Sequence, residues 1–375
     1  MARLVIIGCG VVGAAIAYEL SRTTPHTITV LEQHTPAEGA TGAALGIAMG
    51  VISHKVKGRN WRLRETSLRR YPTLLAELAA LGQLVPNNAQ GILSLCFDAE
   101  KLPRWQSLQE IRQRQGWQLE IWSPAQVAAA CPHLIVDQVA AGIYSPQDLQ
   151  IAPTALTQSL ITAAQQQGVE LQTDAAVVGF EREGDRLRSV QTAIHTYPAD
   201  GVIITAGLGS ERLADRLGHA LPLMPVLGQG LRVQMPEVLG DASFQPVING
   251  DDVHLVPMGD RVYGVAATVE FPPEGERSPL PQQAALDAVW QAALAYCPAL
   301  KSGQILSTWY GLRPRPQGQA APVIQPIEGI RNGILATGHY RNGVLLAPAT
   351  ALKVQELLQT CLDSDSPIPP RRQGA

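Results

Sequence analysis

Across its 375 residues the chain has no paired cysteines, no bilayer-length apolar run and no excess of positive charge. The five cysteines (Cys9, Cys96, Cys131, Cys297 and Cys361) lie far apart, with no CxxC pair and no histidine spacing suited to zinc. Such an odd, scattered set argues against a disulfide framework and for a reduced, cytoplasmic protein, and no metal site is expected. No apolar stretch approaches the ~18 residues needed to span a bilayer. Met1 leads directly into Leu4-Val5-Ile6-Ile7, which leaves no room for a signal peptide. A soluble protein with no membrane partner is expected. The formal net charge of −3 excludes nucleic acid as the main partner, because a phosphate backbone needs a clearly basic surface. One stretch departs from this: residues 54–70 hold Lys55, Lys57, Arg59, Arg62, Arg64, Arg69 and Arg70 against only Glu65. A solvated helix face and a contact with an anionic partner or subunit are both open readings of that run.

With 46% hydrophobic residues, the chain is longer than one core usually holds, and two domains are expected. Its start reads as strand, glycine turn, helix, strand. Leu4 to Ile7 is a continuous apolar run, as suits a buried parallel strand. A helix from about Val12 to Arg22 follows, ended by Pro25, and Thr27 to Leu31 resumes as a strand. A second helical stretch is expected from Asn60 to about Leu81. Strands of the same sheet return at Glu170 to Gln172, at Val202 to Thr205 and at Gly333 to Ala336, and a last helix runs from about Pro348 to Leu362. Between these pieces lie Trp- and Gln-rich mixed segments and the alternating strands Val253 to Val256 and Val262 to Val265. The fold class is α/β (α+β) with both domains discontinuous. Residues 1–84, 143–221 and 303–363 form one, residues 85–142 and 222–302 the other, and 364–375 a flexible tail.

Gly8-Cys9-Gly10-Val11-Val12-Gly13 is a GxGxxG turn between a strand and a helix. Gly8 permits the tight turn, Gly10 lets a pyrophosphate approach the backbone, and Gly13 permits close helix–strand packing. N–H groups at the helix start then face the phosphates. Glu32 closes the second strand, where a carboxylate can bind ribose hydroxyls and repel a 2′-phosphate, which argues against NADP. A second small-residue loop, Gly39 to Gly46, follows. Further strands end in Thr205-Ala206-Gly207 and in Gly338. Several glycine-terminated strands suit a long cofactor lying across their ends, which favours FAD over NAD. The first domain is therefore read as an FAD-binding, Rossmann-like unit.

With these pieces in place the sequence resembles the D-amino-acid oxidase family of flavoproteins, and within it the glycine oxidases. Ala336-Thr337-Gly338-His339-Tyr340-Arg341-Asn342-Gly343-Val344-Leu345-Leu346-Ala347-Pro348-Ala349-Thr350 matches the GHxRNGxLLAPAT pattern. Trp309-Tyr310-Gly311-Leu312-Arg313-Pro314 is similar to the WxGLRP segment, and Asp148 to Pro153 to the turn by which such chains re-enter the FAD domain. The resemblance implies a substrate domain on a mainly antiparallel sheet, a homo-oligomer and a link to thiamine biosynthesis. It also implies roles at the cofactor. Val11 and Val12 lie on the pyrophosphate turn, and Glu32 binds ribose with Gln33 beside it. Ala40, Thr41, Leu45, Gly46 and Ile47 line the ribityl chain and flavin. Val177 meets the adenine through its backbone. His339, Tyr340, Arg341, Asn342, Gly343, Val344 and Leu345 approach the isoalloxazine, and Gly207 ends a strand at the same cofactor.

Arg313 is the expected anchor for a substrate carboxylate, because a planar guanidinium makes two parallel hydrogen bonds that Lys cannot reproduce. Arg341 either contacts the flavin edge and pocket or holds the turn. The N-terminus of the helix placed near Pro348 offers partial positive charge to a flavin being reduced. An amino acid bound with a neutral amine then loses hydride from its α-carbon to flavin N5. This gives an imine, with oxygen the expected final acceptor and hydrogen peroxide the second product. Neither a Ser/His/Asp set nor a carboxylate pair is needed, and FAD is expected to be non-covalent. Three residues depart from the glycine oxidase pattern: His254 replaces a Tyr, Met258 a basic residue, and Arg315 a small one. His254 is read either as a hydrogen-bond donor to substrate, with charge if protonated, or as a core histidine. A dehydrogenase passing electrons to a quinone or protein, and a non-catalytic flavin-binding protein, are the alternatives.

Overall fold

The computed structural model describes residues 1–363, so the tail expected at 364–375 lies outside the described residues. One sheet has six strands in the spatial order Val323–Pro326, Gly333–Thr337, Gly201–Ile204, Arg3–Ile7, Thr27–Leu31, Glu170–Gln172. All neighbours run parallel except the first pair. The central strand is buried on both faces, as its unbroken apolar run requires: Leu4 and Ile6 pack into one cluster, Val5 and Ile7 into another. The helices Val11–Thr23, Pro153–Gln165 and Gly343–Asp363 pack together on the first of these faces.

A second sheet has eight strands in the order Gln304–Pro316, Leu223–Gln234, Val262–Ala266, Val253–Pro257, Val247–Gly250, Ile92–Cys96, Ala141–Ser145, Glu120–Trp122. It is antiparallel except where Val247–Gly250 meets Ile92–Cys96. Side chains alternate across it. Leu231, Val233, Val253, Leu255 and Val265 bury against the helix Gln283–Tyr296 through Leu286, Val289, Ala293 and Tyr296. On the other face Ile92, Val247 and Val256 meet Leu45, Ile47 and Met49, the chain leaving the second glycine loop. The sheet thus forms a wall over that loop.

Three expected positions shift. Gln304–Pro316, which a boundary at 303 put with the nucleotide-binding unit, pairs along its length with Leu223–Gln234 and is the edge strand of the eight-stranded sheet. Ala141–Ser145 likewise runs past 142 in that sheet. The last helix begins at Gly343, and Pro348 lies inside it. Proline lacks the N–H that would bond to Val344; the Tyr71 hydroxyl, from the helix Gly58–Ala80, donates to the Val344 oxygen instead. Among the described residues no helix is long and apolar enough to cross a membrane.

Candidate active site

The first strand delivers Gly8 at φ +103, and a Cβ there would lie 2.9 Å from the Ala206 Cα. A Cβ on Gly13 would lie 2.0 Å from the Gly8 oxygen, so helix and turn touch through bare backbone. The helix starts after Gly10 with no side-chain cap and no acidic residue in its first turn. Apart from the Val11 N–H, its first-turn N–H groups and its dipole are thereby left to an anion. The Val11 N–H donates to Thr41 Oγ1 at 3.1 Å, which brings the second glycine loop over the turn. Thr205 Oγ1 lies 2.9 Å from the Ile7 oxygen and 2.8 Å from the Gly8 oxygen, tying the strand Gly201–Ile204 to the same place. Thr337 Oγ1 donates to the oxygen of Gly207 at 3.1 Å and so links the strand Gly333–Thr337.

At the far side of the turn, Glu32 accepts the Cys9 N–H at 2.7 Å and the His34 N–H at 3.1 Å. The Glu32 carbonyl takes the Ala175 N–H at 2.9 Å, which seats Val177 beside it. Gln33 and Ala40 are exposed. The glycine cradle, the uncapped helix start and this carboxylate fit a dinucleotide stretched from Glu32 toward the loop Gly39 to Gly46.

That loop meets the eight-stranded sheet. Trp309 Nε1 donates to the Ala43 oxygen at 3.0 Å, and a Cβ on Gly311 would lie 2.2 Å from Ala43 Cβ. A Cβ on Gly46, at φ +76, would lie 1.8 Å from the oxygen of Ile151, where the chain re-enters the first unit. Two residues past Gly311 on the same strand face, Arg313 donates through Nη1 to the oxygens of Leu227 and Thr268, both at 3.1 Å. Its guanidinium lies over Gly228, where a Cβ would be 2.0 Å from Nη2. Among the described residues no acceptor engages Arg313 Nε or Nη2. Burial lowers the pKa of Arg313, and the nearby Arg341 charge lowers it further.

His254 is 7% exposed, and burial pushes its pKa down to about 4, with Arg341 adding to the effect. It is therefore neutral near pH 7, and the added charge expected of a protonated His254 is absent. Its cross-strand neighbour is Asn249. His254 Nδ1 and Asn249 Oδ1 are both buried without a partner, while Asn249 Nδ2 donates to Ser94 Oγ at 2.7 Å. These three side chains share a sheet face with Ile92, Val247 and Val256, the face toward the loop. Unpaired buried polar atoms are costly and mark a place for a polar ligand. The sequence carried no signal for Ser94 or Asn249.

The motif at 338–343 forms a short 3-10 turn, Tyr340–Asn342, that runs into the last helix. Arg341 is partly exposed, 3.6 Å from Asp252. The His339 ring turns away from the turn and bonds Thr350 Oγ1 at 2.9 Å, and burial pushes its pKa down to about 3. Val344 and Leu345 are buried in the helical core. The structure thus brings the charges of Arg313 and Arg341 to bear on His254, and gathers Gly8 to Gly13, Glu32, Thr41 and Val177 around the glycine turn.

Other buried groups hold the site from behind. Asp148 accepts the N–H groups of Gly50, Val51 and Ile52 at 2.7, 2.9 and 2.9 Å. Arg112 donates to the oxygens of Val51 and Ser53, both at 2.6 Å, and stacks 3.7 Å from the Trp61 ring. Arg64 reaches Asn342 Oδ1 at 3.4 Å, and Arg70 pairs with Glu19 and Glu77. The basic run 54–70 therefore divides: Arg64 and Arg70 turn into the chain, while Lys55, Lys57, Arg59, Arg62 and Arg69 are exposed, Arg59 donating to the Pro322 oxygen at 2.7 Å and Arg69 pairing with Glu65 at 2.9 Å.

The FAD dependent oxidoreductase family, DAO, matches residues 3–357. The bifunctional protein ThiO/ThiG of Trichormus variabilis is 30% identical over 95% of this chain, and the chain spans about half of that relative, 52%. The glycine oxidase of Bacillus subtilis is 26% identical over 94% of this chain and 92% of its own. The crystal structure of glycine oxidase from Geobacillus kaustophilus superposes with a TM-score of 0.85 at 24% identity, covering 96% of this chain and 95% of that one. Glycine cradle, helix start and ribose-side carboxylate fit FAD, and the chain belongs to the DAO family of FAD-dependent oxidoreductases.

Proposed function

We propose that this chain oxidises glycine or another small amino acid or amine at its α-carbon. The observation that carries the reading is Arg313: a half-buried guanidinium fixed by two carbonyls through Nη1, on the strand whose Trp309 and Gly311 touch the second glycine loop. FAD bound in the first unit supplies the two-electron acceptor. Arg313 presents Nε and Nη2 to a carboxylate and fixes the α-carbon. His254, neutral, orients the substrate by hydrogen bonding, and Arg341 closes the pocket from the RNG turn. The buried wall of Ile92, Val247 and Val256 excludes water. Orientation and water exclusion are then the main protein contributions. The substrate loses a hydride from carbon and a proton from nitrogen, and the resulting imine hydrolyses. The last helix starts at Gly343, directly after the turn, and its N-terminal partial charge favours negative charge developing nearby.

Similarity to glycine oxidases supports oxygen as the acceptor, with hydrogen peroxide released, and similarity to the ThiO/ThiG protein supports a role in thiamine biosynthesis; a homo-oligomeric, cytoplasmic enzyme is part of the same proposal. The residue divisions of the two domains, with 304–316 moved to the substrate unit, belong to the same proposal. Purified holoenzyme under air with glycine, sarcosine and D-alanine tests it: peroxide in step with imine-derived oxo acid supports the oxidase. Turnover that needs an added quinone contradicts oxygen as acceptor.

A further inference from the structure

Arg315 follows Arg313 by two residues on one strand, so both side chains leave the same face, with Cα atoms about 6.8 Å apart. Between them stands the 340 turn: Tyr340 interacts electrostatically with Arg313, and the Arg315 Cζ lies 5.8 Å from the Tyr340 ring centroid. On its other side Arg315 lies 5.2 Å from the Phe271 centroid. Two aromatic rings hold the Arg315 guanidinium extended at the mouth of the Arg313 pocket.

Charge balance there is uneven. Arg341 has Asp252 at 3.6 Å. The Glu270 carboxylate is taken up by Gln229 Nε2 at 2.9 Å, the Gln282 N–H at 3.0 Å and the Thr268 hydroxyl. Among the described residues no carboxylate pairs with Arg315. An α-carboxylate occupies Arg313 alone and leaves that second guanidinium unmatched.

We infer that Arg315 binds a second acidic group of the substrate, and that the preferred substrate class is an amino acid bearing another carboxylate on its side chain or nitrogen. This rests on the oxidation proposed above and narrows its substrate. A carboxylate held at the mouth, half in solvent, gains a charge-assisted hydrogen bond that its neutral amide cannot match.

The test compares isosteric pairs on the holoenzyme: aspartate with asparagine and glutamate with glutamine, each enantiomer, with glycine as reference. The acid is expected to exceed its amide in kcat/KM by tenfold or more, and added salt should reduce that preference. Arg315→Ser should bring the acid-to-amide ratio close to one, and Arg315→Lys should keep part of it. Amides as good as acids, or a preference that survives Arg315→Ser, would overturn the inference. Glycine bleaching the flavin without any diacid preference overturns this inference alone. A flavin that no amino acid bleaches, glycine included, overturns the oxidation itself and this inference with it.

Discussion

The Tyr71 hydroxyl donates a hydrogen bond to the main-chain oxygen of Val344, the acceptor that Pro348 leaves without a helical N–H. One residue further, Ser67 Oγ accepts the Ala349 N–H at 3.2 Å. The helix Gly58–Ala80 thus completes the first turns of the helix that carries the RNG motif. Tyr71→Phe leaves a buried carbonyl unpaired and should cost about 1–3 kcal/mol of unfolding free energy, read by urea denaturation. An unchanged midpoint would show that the bond contributes nothing.

Gly10 and Gly13 separate cofactor binding from folding. A Cβ on Gly10 meets only Thr41 Oγ1, at 3.1 Å, whereas one on Gly13 falls 2.0 Å from backbone. Gly10→Ala should therefore fold normally yet retain little FAD, measured as flavin-to-protein ratio. Gly13→Ala should lose both flavin and thermal stability. Full flavin in purified Gly10→Ala would remove that turn from the pyrophosphate site.

Arg313→Ala should raise KM by about 100-fold, the equivalent of the ~3 kcal/mol of a charged hydrogen-bonded pair, while FAD content stays constant. Arg313→Lys should not restore it, because an ammonium lacks the planar fork. An unchanged KM would take Arg313 out of the site.

Burial holds His254 near a pKa of about 4 and His339 near about 3, both below the ordinary 6.5. Between those values and 6.5 the unfolded chain binds protons that the folded chain refuses, so stability rises with pH across that window. It is complete above pH 6.5 and is lost as pH falls toward 4, by on the order of 3 kcal/mol per histidine. Denaturation at stepped pH should show this slope, and His339→Gln should flatten it. A slope unchanged by that substitution would contradict His339 as a source.

The nucleotide half of the site was legible because its signal is local. Gly8 to Gly13 and Glu32 lie within one strand–turn–helix–strand unit, and their spacing alone implies the geometry. The supporting half was not legible, because it is made of contacts between distant segments. Asp148 binds N–H groups at residues 50–52, and Tyr71 reaches Val344. Nothing near these residues in sequence marks them. Pro348 misled for a related reason: proline usually opens a helix, and here a tyrosine from another helix supplies the donor it lacks. Gln304–Pro316 was assigned by its neighbours in sequence, but strand membership is decided by its pairing with Leu223–Gln234.

The most direct test of the account is anaerobic titration of the purified holoenzyme with glycine, sarcosine and the aspartate–asparagine pair, following the flavin's visible absorbance. A yellow protein is expected whose oxidised band is bleached by at least one of these, and by none in Arg313→Ala at the same concentration. A protein that binds no flavin, or one whose flavin stays oxidised with every amino acid offered, would contradict it.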